Sequence, residues 1–508
     1  MFKWLSDYGR LINAGVALAR HDVILPGEYR GRLPLPAQLA GRTLRLVSGG
    51  ASGRPGERLA KALESLGPAY IKLGQFLATR PDVFGVETTD DLSRLKDKLP
   101  PFSNVKASEA LEKEFGPEAK TLFRDIGSPV AAASLAQVHR METPEGARAV
   151  KILRPNIEKK IENALSAMLR AGRTIEGVSA ESRRLRPVAF TETIAVSMRR
   201  ELDLRLEAGG TDEMRALSEK DGFYRVPSVD WARTGRRVLT TEWIDGKPLT
   251  DPAVFDQPHA NREEIANKVT RGFLSHAIYH GVFHADMHEG NMILTPKGEL
   301  ALVDFGIIGR IGLDERRFLA EILWGFIQRD YTKVAEVHFE AGYVPADQSV
   351  GDFAQALRSV GEPIHGKSAE DVSMGRLLLQ LMDFTHAFGM QLRPELVLLQ
   401  KTMVQVEGVA RGIDPNHDIW TAAKPVVEKW VTSAMGPAGA ARLMSRNVRE
   451  VSERLKRLPA VMDKLEERLE APPIAETQKA PFAPWWGWFG LIIALSGIAV
   501  YGVTQVSA

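Results

Sequence analysis

Residues 284–306 read HADMHEGNMILTPKGELALVDFG, and this stretch decides the fold. Asp286 and Asn291 stand five positions apart, and Asp304-Phe305-Gly306 follows thirteen residues later at the end of a short apolar strand, Leu300-Ala301-Leu302-Val303. One acid that orients an attacking oxygen, followed by an amide and a second acid that hold Mg²⁺, is what phosphoryl transfer requires of a protein. That chemistry is catalysed by positioning and charge stabilisation. His280, His284 and His288 recur every four residues, which on one helix would make a metal face. Gly281 and the loop spacing argue against one helix, so the two loop histidines are expected to brace the loop.

Upstream, residues 127–153 form two apolar-rich runs around Thr143-Pro144-Glu145-Gly146, the pattern of a hairpin. The second run carries Lys151, placed as a strand lysine that holds α- and β-phosphates. A helical stretch, Thr191 to Ala208, offers two acids to pair with that lysine, Glu201 and Glu207, and spacing does not choose between them. Val238 to Asp245 reads as the last small-lobe strand running into a hinge. Taken in order, these elements predict an α+β, protein-kinase-like bilobal fold. After Gly306 only a few residues precede a helical pattern starting near Leu313, and no Ala-Pro-Glu element follows. No platform for a peptide is present, which disfavours a conventional protein kinase.

The chain has 508 residues, 66 Lys+Arg against 64 Asp+Glu, and no cysteine. Balanced charge removes the electrostatic case for nucleic acid. The missing thiols exclude disulfides, Cys-ligated zinc, iron–sulfur clusters and a cysteine nucleophile. Near the N-terminus Trp4, Leu5, Tyr8, Leu11 and Ile12 fall at helical spacing, which predicts an amphipathic helix packed on its own domain. Further on, Val448, Val451, Leu455, Leu458, Met462, Leu465 and Leu469 make a heptad seam, kinked at Pro459. It is expected to dock on the globular body, with a homodimer along the seam as the alternative. Beyond a Pro-rich linker, Trp485–Val503 is nineteen residues without a charge. As a helix it spans roughly 28 Å, enough for a bilayer. Trp485, Trp486 and Trp488 at one end and Tyr501 at the other match an aromatic belt. A single-pass anchor in the cytoplasmic (inner) membrane is expected, with the globular part on the cytosolic side.

Four segments together resemble the UbiB family of atypical kinase-like proteins of ubiquinone biosynthesis. They are Gly67–Gln75 with Thr79-Arg80-Pro81-Asp82 behind it, Ala131–His139, Glu201-Leu202-Asp203, and His284 through Gly306. The resemblance covers roughly residues 60 to 310. It implies that Lys72-x-Gly74-Gln75 belongs to an N-terminal extension folded over the place of a peptide, with Lys72 and Gln75 reaching the active site and Glu201 partnering Lys72. Lys72 and Gln75 are three apart on an otherwise apolar helix, so both point the same way. It also places Ala131, Ala132, Ala133 and Ser134 where ordinary kinases have glycines. An alanine disfavours positive φ and keeps the backbone from approaching phosphates freely, so turnover is expected to be slow or conditional. The family pattern His-Ala-Asp-Pro-His-Pro-Gly-Asn is altered here, with Met287 and Glu289 in place of both prolines while the polar groups remain.

The expected organisation is a helical extension with the KxGQ element (1–105), a small lobe with helical insertions (106–250) and a helical large lobe (251–440). An amphipathic helix (441–471), the linker (472–484) and the transmembrane helix (485–503) follow. The expected site uses ATP or ADP with Mg²⁺. Asp286, Lys151 and Lys72 are its catalytic candidates. Ala131–Ser134, Lys151, Glu201 and Glu207 would bind nucleotide, and Asn291 and Asp304 metal. The expected role is an ATPase supporting ubiquinone synthesis at the membrane, acting on polyprenyl-phenol intermediates or on the enzymes that modify them. Phosphotransfer to a small molecule or lipid, and a nucleotide-gated scaffold, are the alternatives. A ring hydroxylase is disfavoured: no G-x-G-x-x-G follows a strand, and no iron-site cluster occurs.

Overall fold

The structure is a computed structural model that describes residues 3–23, 53–78, 85–93, 95, 99–178, 186–257, 260–364, 387–390 and 394–435. Thr79–Asp82, the heptad seam, the linker and the apolar span 485–503 lie outside the described residues. Among the described residues no helix is long and apolar enough to cross a membrane.

The extension consists of α1 (Lys3–Arg20), α2 (Pro55–Leu66), α3 (Pro68–Leu77) and α4 (Val86–Ser93). Gly67, at φ +95°, with Pro68 at the first helical position, breaks α2 from α3. Helix α5 (Asn104–Phe115) leads into β1 (Ile126–Ala132), β2 (Ala136–Thr143) and β3 (Gly146–Leu153). Then come α6 (Ile157–Val178), α7 (Pro187–Glu201), α8 (Leu204–Asp221) and β4 (Val238–Glu242). The four strands pair antiparallel in the order β1-β2-β3-β4. Thr143 pairs with Gly146 across the expected turn, and Gly146 takes φ +113°.

Alternation along β3 sorts its side chains by function. Val150 and Ile152 are fully buried in a layer with Ala107 and Leu111 of α5 and Val238 of β4. Lys151, between them, faces the other way, toward α8 and the cleft. A second apolar cluster joins Leu63, Leu73, Leu77 and Leu92 of the extension to Leu153, Leu165, Met198 and Leu204, so the extension shares the small lobe's core. The N-terminal helix packs on its own domain. Leu11, Ala14 and Leu18 are buried, while Ile12 is exposed. Its Asp7, fully buried, accepts hydrogen bonds from Ser166 (3.0 Å) and Arg170 (3.2 Å) of α6.

The expected continuous helix from Thr191 to Ala208 is in fact two. Asp203 leaves the helical region (φ −118°, ψ 90°) and caps α8 by accepting from the Arg205 amide at 3.2 Å. Glu201 therefore ends one helix, and Glu207 stands in the first turn of the next.

After β5 (Lys247–Pro248), the large lobe opens with α9 (Arg262–Ser275). The helix widens into one π-helical turn through His276–His280 and stops at Gly281, φ +69°, before β6 (Val282–His284). Next come β7 (Met292–Leu294), β8 (Leu300–Leu302) and β9 (Ile308–Arg310). Strands β5-β7-β8 form one small sheet and β6-β9 another, which together hold the loop between β6 and β7 and the turn between β8 and β9. Helices α10 (Leu313–Gln328), α11 (Tyr331–Glu340), α12 (Val350–Gly361), α13 (Pro394–Ile413) and α14 (Ile419–Met435) complete the lobe. Leu399, Met403, Val406, Ala410 and Ile413 of α13 enter the main core with Phe273, Phe283 and Phe305.

Candidate active site

His284 ends β6 fully buried, and burial lowers its pKa, so its ring is neutral. Its Nε2–H donates to the Val303 carbonyl (3.3 Å), while Nδ1 accepts from the Asp286 amide (3.1 Å). The ring leans on Phe305 at 5.1 Å between centroids, so this histidine couples the loop to the Asp-Phe-Gly turn. His288 accepts from the Gly290 amide (3.0 Å) and lies 3.6 Å from Asp286. His280 donates to Asp221 at 3.0 Å. The three evenly spaced histidines thus serve three different partners. Among the described residues no group of three or more His, Cys, Asp or Glu is placed to hold a metal alone. Where the family pattern has prolines, Met287 is buried in the main core and Glu289 begins a single 3-10 turn ending at Asn291.

Asn291 Nδ2 donates to the Asp286 carbonyl (3.1 Å), leaving its Oδ1 as an acceptor. Asp304 has φ +62°, a conformation few non-glycine residues adopt, and accepts from the Gly306 amide at 3.3 Å. One charged carboxylate and one amide oxygen suit Mg²⁺, which keeps waters and phosphate oxygens for its other positions.

The charges converge on Lys151. Its Nζ donates to both oxygens of Glu207 (2.8 and 3.0 Å) and to Asp304 (3.3 Å). Burial disfavours the ammonium, but Asp304 and Glu207 outweigh it and raise its pKa. The Lys151 charge holds Asp304 down to about 2. Burial pushes Glu207 up against the pull of the same lysine. Two carboxylates share one ammonium, and the outer one, Asp304, keeps its charge most firmly. Close approach of α8 depends on Gly210, where a Cβ would lie 2.5 Å from Ile308.

Glu201 does not join this cluster. It pairs with Lys72 of α3 at 3.1 Å. The Lys72 charge also reaches Asp304, adding to its depression. Gly74 has a packing reason: a Cβ there would sit 2.3 Å from Leu95 and 2.8 Å from Leu63. Gln75 is half-buried on the same helix, and its side chain makes no hydrogen bond among the described residues.

Ala131 and Ala132 end β1, and the Ala133 amide bonds the Ala136 carbonyl (2.8 Å) across a tight turn with Ser134 fully buried. None of the three alanines takes a positive φ. Arg154 fastens this turn, donating to Ala133 (2.9 Å), Pro100 (3.0 Å) and Leu99 (3.2 Å). Gln137 adds two bonds to the Phe102 backbone (2.8 and 3.1 Å).

The sequence reading passed over α13. Thr402 donates to the Ala285 carbonyl at 3.4 Å, and Gln405 approaches Asp286 Oδ1 at 3.5 Å. Lys401, beside Thr402 and one turn before Gln405, feels the Asp286 charge.

Residues 94–338 match the model of the ABC1 atypical kinase-like domain, and residues 357–418 that of the UbiB helical domain. A Pseudomonas aeruginosa protein named "Probable protein kinase UbiB" is 35% identical over 463 residues, 89% of this chain and 86% of its own. One of the same name from Aliivibrio fischeri is 36% identical over 411 residues, 80% and 76% respectively. Among solved structures, the complex of Rv3197 with erythromycin from Mycobacterium tuberculosis aligns with a TM-score of 0.50. It covers 72% of this chain and 93% of that one, and at 24% identity the likeness shows the shared fold.

Proposed function

The chain belongs to the UbiB family of ABC1 atypical kinase-like proteins, and we propose that it is a Mg²⁺-dependent ATPase at the cytosolic face of the inner membrane, supporting ubiquinone biosynthesis. One observation supports this reading most: Lys151 donates to Glu207 at 2.8 Å and to Asp304 at 3.3 Å, a half-buried cation beside an ionised acid.

Glu207 fixes Lys151 for the α- and β-phosphates, and phosphate oxygens replace Asp304 as its second anion. Asp304 and Asn291 hold Mg²⁺, which neutralises charge on the phosphate oxygens. Asp286, kept in place by His284, orients the attacking oxygen. The fastened Ala131–Ser134 turn offers side chains where phosphates would need bare backbone, which supports slow turnover that a membrane or lipid relieves. The uncharged Trp485–Val503 stretch supports membrane anchorage, and polyprenyl-phenol intermediates or the enzymes handling them are the proposed clients.

A second reading, transfer to a small-molecule or lipid hydroxyl, draws support from the Asp286 side chain, which is 36% exposed. Phosphate release by the full chain, with and without anionic liposomes and beside Asp304→Asn, tests the first. Membrane-stimulated release that falls by roughly 100-fold or more in the variant supports it. Release equal to that of the variant, with nucleotide still bound, sinks it. A labelled lipid product favours the second.

A further inference from the structure

We propose that Gln405, on α13, is the positioning residue that aims the Asp286 carboxylate at the attacking oxygen; the assignment rests on the ATPase reading above. The backbone of Asp286 is already fixed. Its amide donates to His284 Nδ1 (3.1 Å), and its carbonyl accepts from Asn291 Nδ2 (3.1 Å) and from the His288 amide (3.0 Å). None of these bonds sets the rotation of the side chain. His288 stays 3.6 Å from Oδ2, beyond hydrogen-bond range. Among the described residues Gln405 is the one side chain that hydrogen-bonds the carboxylate, its Nε2 donating to Oδ1 at 3.5 Å. Catalytic contacts of this kind are often long until the reacting group is bound, and shorten with it.

Helix α13 lies along the whole loop. Thr402, Gln405, Val409 and Gly412 follow one another at i, i+3, i+7 and i+10, which is one face of a helix. Thr402 donates to the Ala285 carbonyl (3.4 Å). At the other end a Cβ on Gly412 would lie 3.0 Å from Glu289 Oε1, so the face covers the loop from Ala285 to Glu289. Met403, Val406 and Ala410 are buried in the main core and hold the helix there. The Gln405 amide has a defined sense, because reversing it would set its oxygen against Asp286 Oδ1. With Nε2 toward the carboxylate, Oε1 is buried and has no donor among the described residues. An unmet buried acceptor costs stability, and a leucine or methionine would fill much the same space without it. Packing alone therefore does not account for a glutamine here, whereas a donor for Asp286 does. The residue that completes the site comes from the segment matching the UbiB helical domain, residues 357–418.

The experiment compares the full chain with Gln405→Leu, on anionic liposomes, in kcat and KM for Mg²⁺-dependent phosphate release and in binding of a non-hydrolysable ATP analogue. Urea unfolding of both chains is measured alongside. Positioning predicts a fall in kcat of roughly 10-fold with KM and analogue binding unchanged, because other residues hold the nucleotide. It also predicts an unfolding midpoint equal to or above that of the unmodified chain, since the unmet acceptor is gone. An unchanged kcat would make Gln405 a bystander. A fall in kcat accompanied by lost nucleotide affinity or lost stability would make it a packing residue. Either result overturns the proposal. Gln405→Met carries the same comparison should the leucine variant fail to fold. Phosphate release by the unmodified chain no greater than by Asp304→Asn overturns the ATPase reading and this proposal with it, and it is recognised before any Gln405 variant is made.

Discussion

Two lysine–glutamate pairs stand a few residues apart at the cleft and differ in almost everything except composition. The inner pair, Lys151–Glu207, has two contacts at 2.8 and 3.0 Å, a glutamate 9% exposed, and a third charge, Asp304, at 3.3 Å. The outer pair, Lys72–Glu201, has one contact at 3.1 Å, with side chains 18% and 24% exposed. The inner pair joins two elements of the small lobe to the Asp-Phe-Gly turn, so it is part of the machinery that faces phosphates. The outer pair joins the extension to that lobe. It can break without leaving a fully buried charge behind, and that makes it the pair able to open.

The largest effect should come from removing the inner cation. Lys151→Met leaves Glu207 and Asp304 facing each other, and we expect a loss of about 3 kcal/mol in urea unfolding, the lower end for a broken buried pair. A loss comparable to that of a surface pair would erase the contrast. Acid sharpens it next. Asp304 is held down to about 2, so its contribution is in place above the ordinary carboxylate pKa of about 4 and is lost as pH falls from there through about 2. The stability difference between the unmodified chain and Asp304→Asn should therefore shrink across that window. In a Lys151→Met background the shrinkage should move up toward pH 4. A difference that stays flat with pH would show that the lysine does not hold Asp304 charged.

The joint between the pairs comes third: Asp203→Ala removes the α8 cap and should cost about 1 kcal/mol. Smallest is the outer pair itself, where a single contact between partly exposed side chains means that Lys72→Ala should cost about 1 kcal/mol or less in thermal or urea unfolding. A cost above that of Asp203→Ala would mean that the extension is welded to the lobe and the two pairs are alike.

Much of this site was legible in the sequence because its parts carry fixed spacing. The Asp286–Asn291 loop, the Asp-Phe-Gly turn, the strand lysine and the hairpin turn at Thr143–Gly146 each declare a local backbone geometry. The assignment of Glu201 and Glu207 was not legible. Both occupy an amphipathic helical pattern, and the break between them depends on Asp203 bonding a backbone amide two residues on, which periodicity does not register. Gln405 was missed for a different reason. Its meaning depends on α13 returning more than a hundred residues later to the loop at Ala285 and Asp286, a contact that no local pattern encodes.

The joint at Leu202-Asp203 also acts as a phase lock. Leu202 and Leu204 on either side of it are buried, and the Leu204 amide is held by the Arg236 carbonyl at 2.9 Å, so the second helix starts at a fixed angle. Adding or deleting one residue here would turn Glu207 by about 100° around its axis, away from Lys151, while leaving every site residue present in the sequence. Across related genes, then, chain length at this spot should vary less than the side chains around it, and a one-residue insertion here would silence the protein while the catalytic loop and the Asp-Phe-Gly turn still matched.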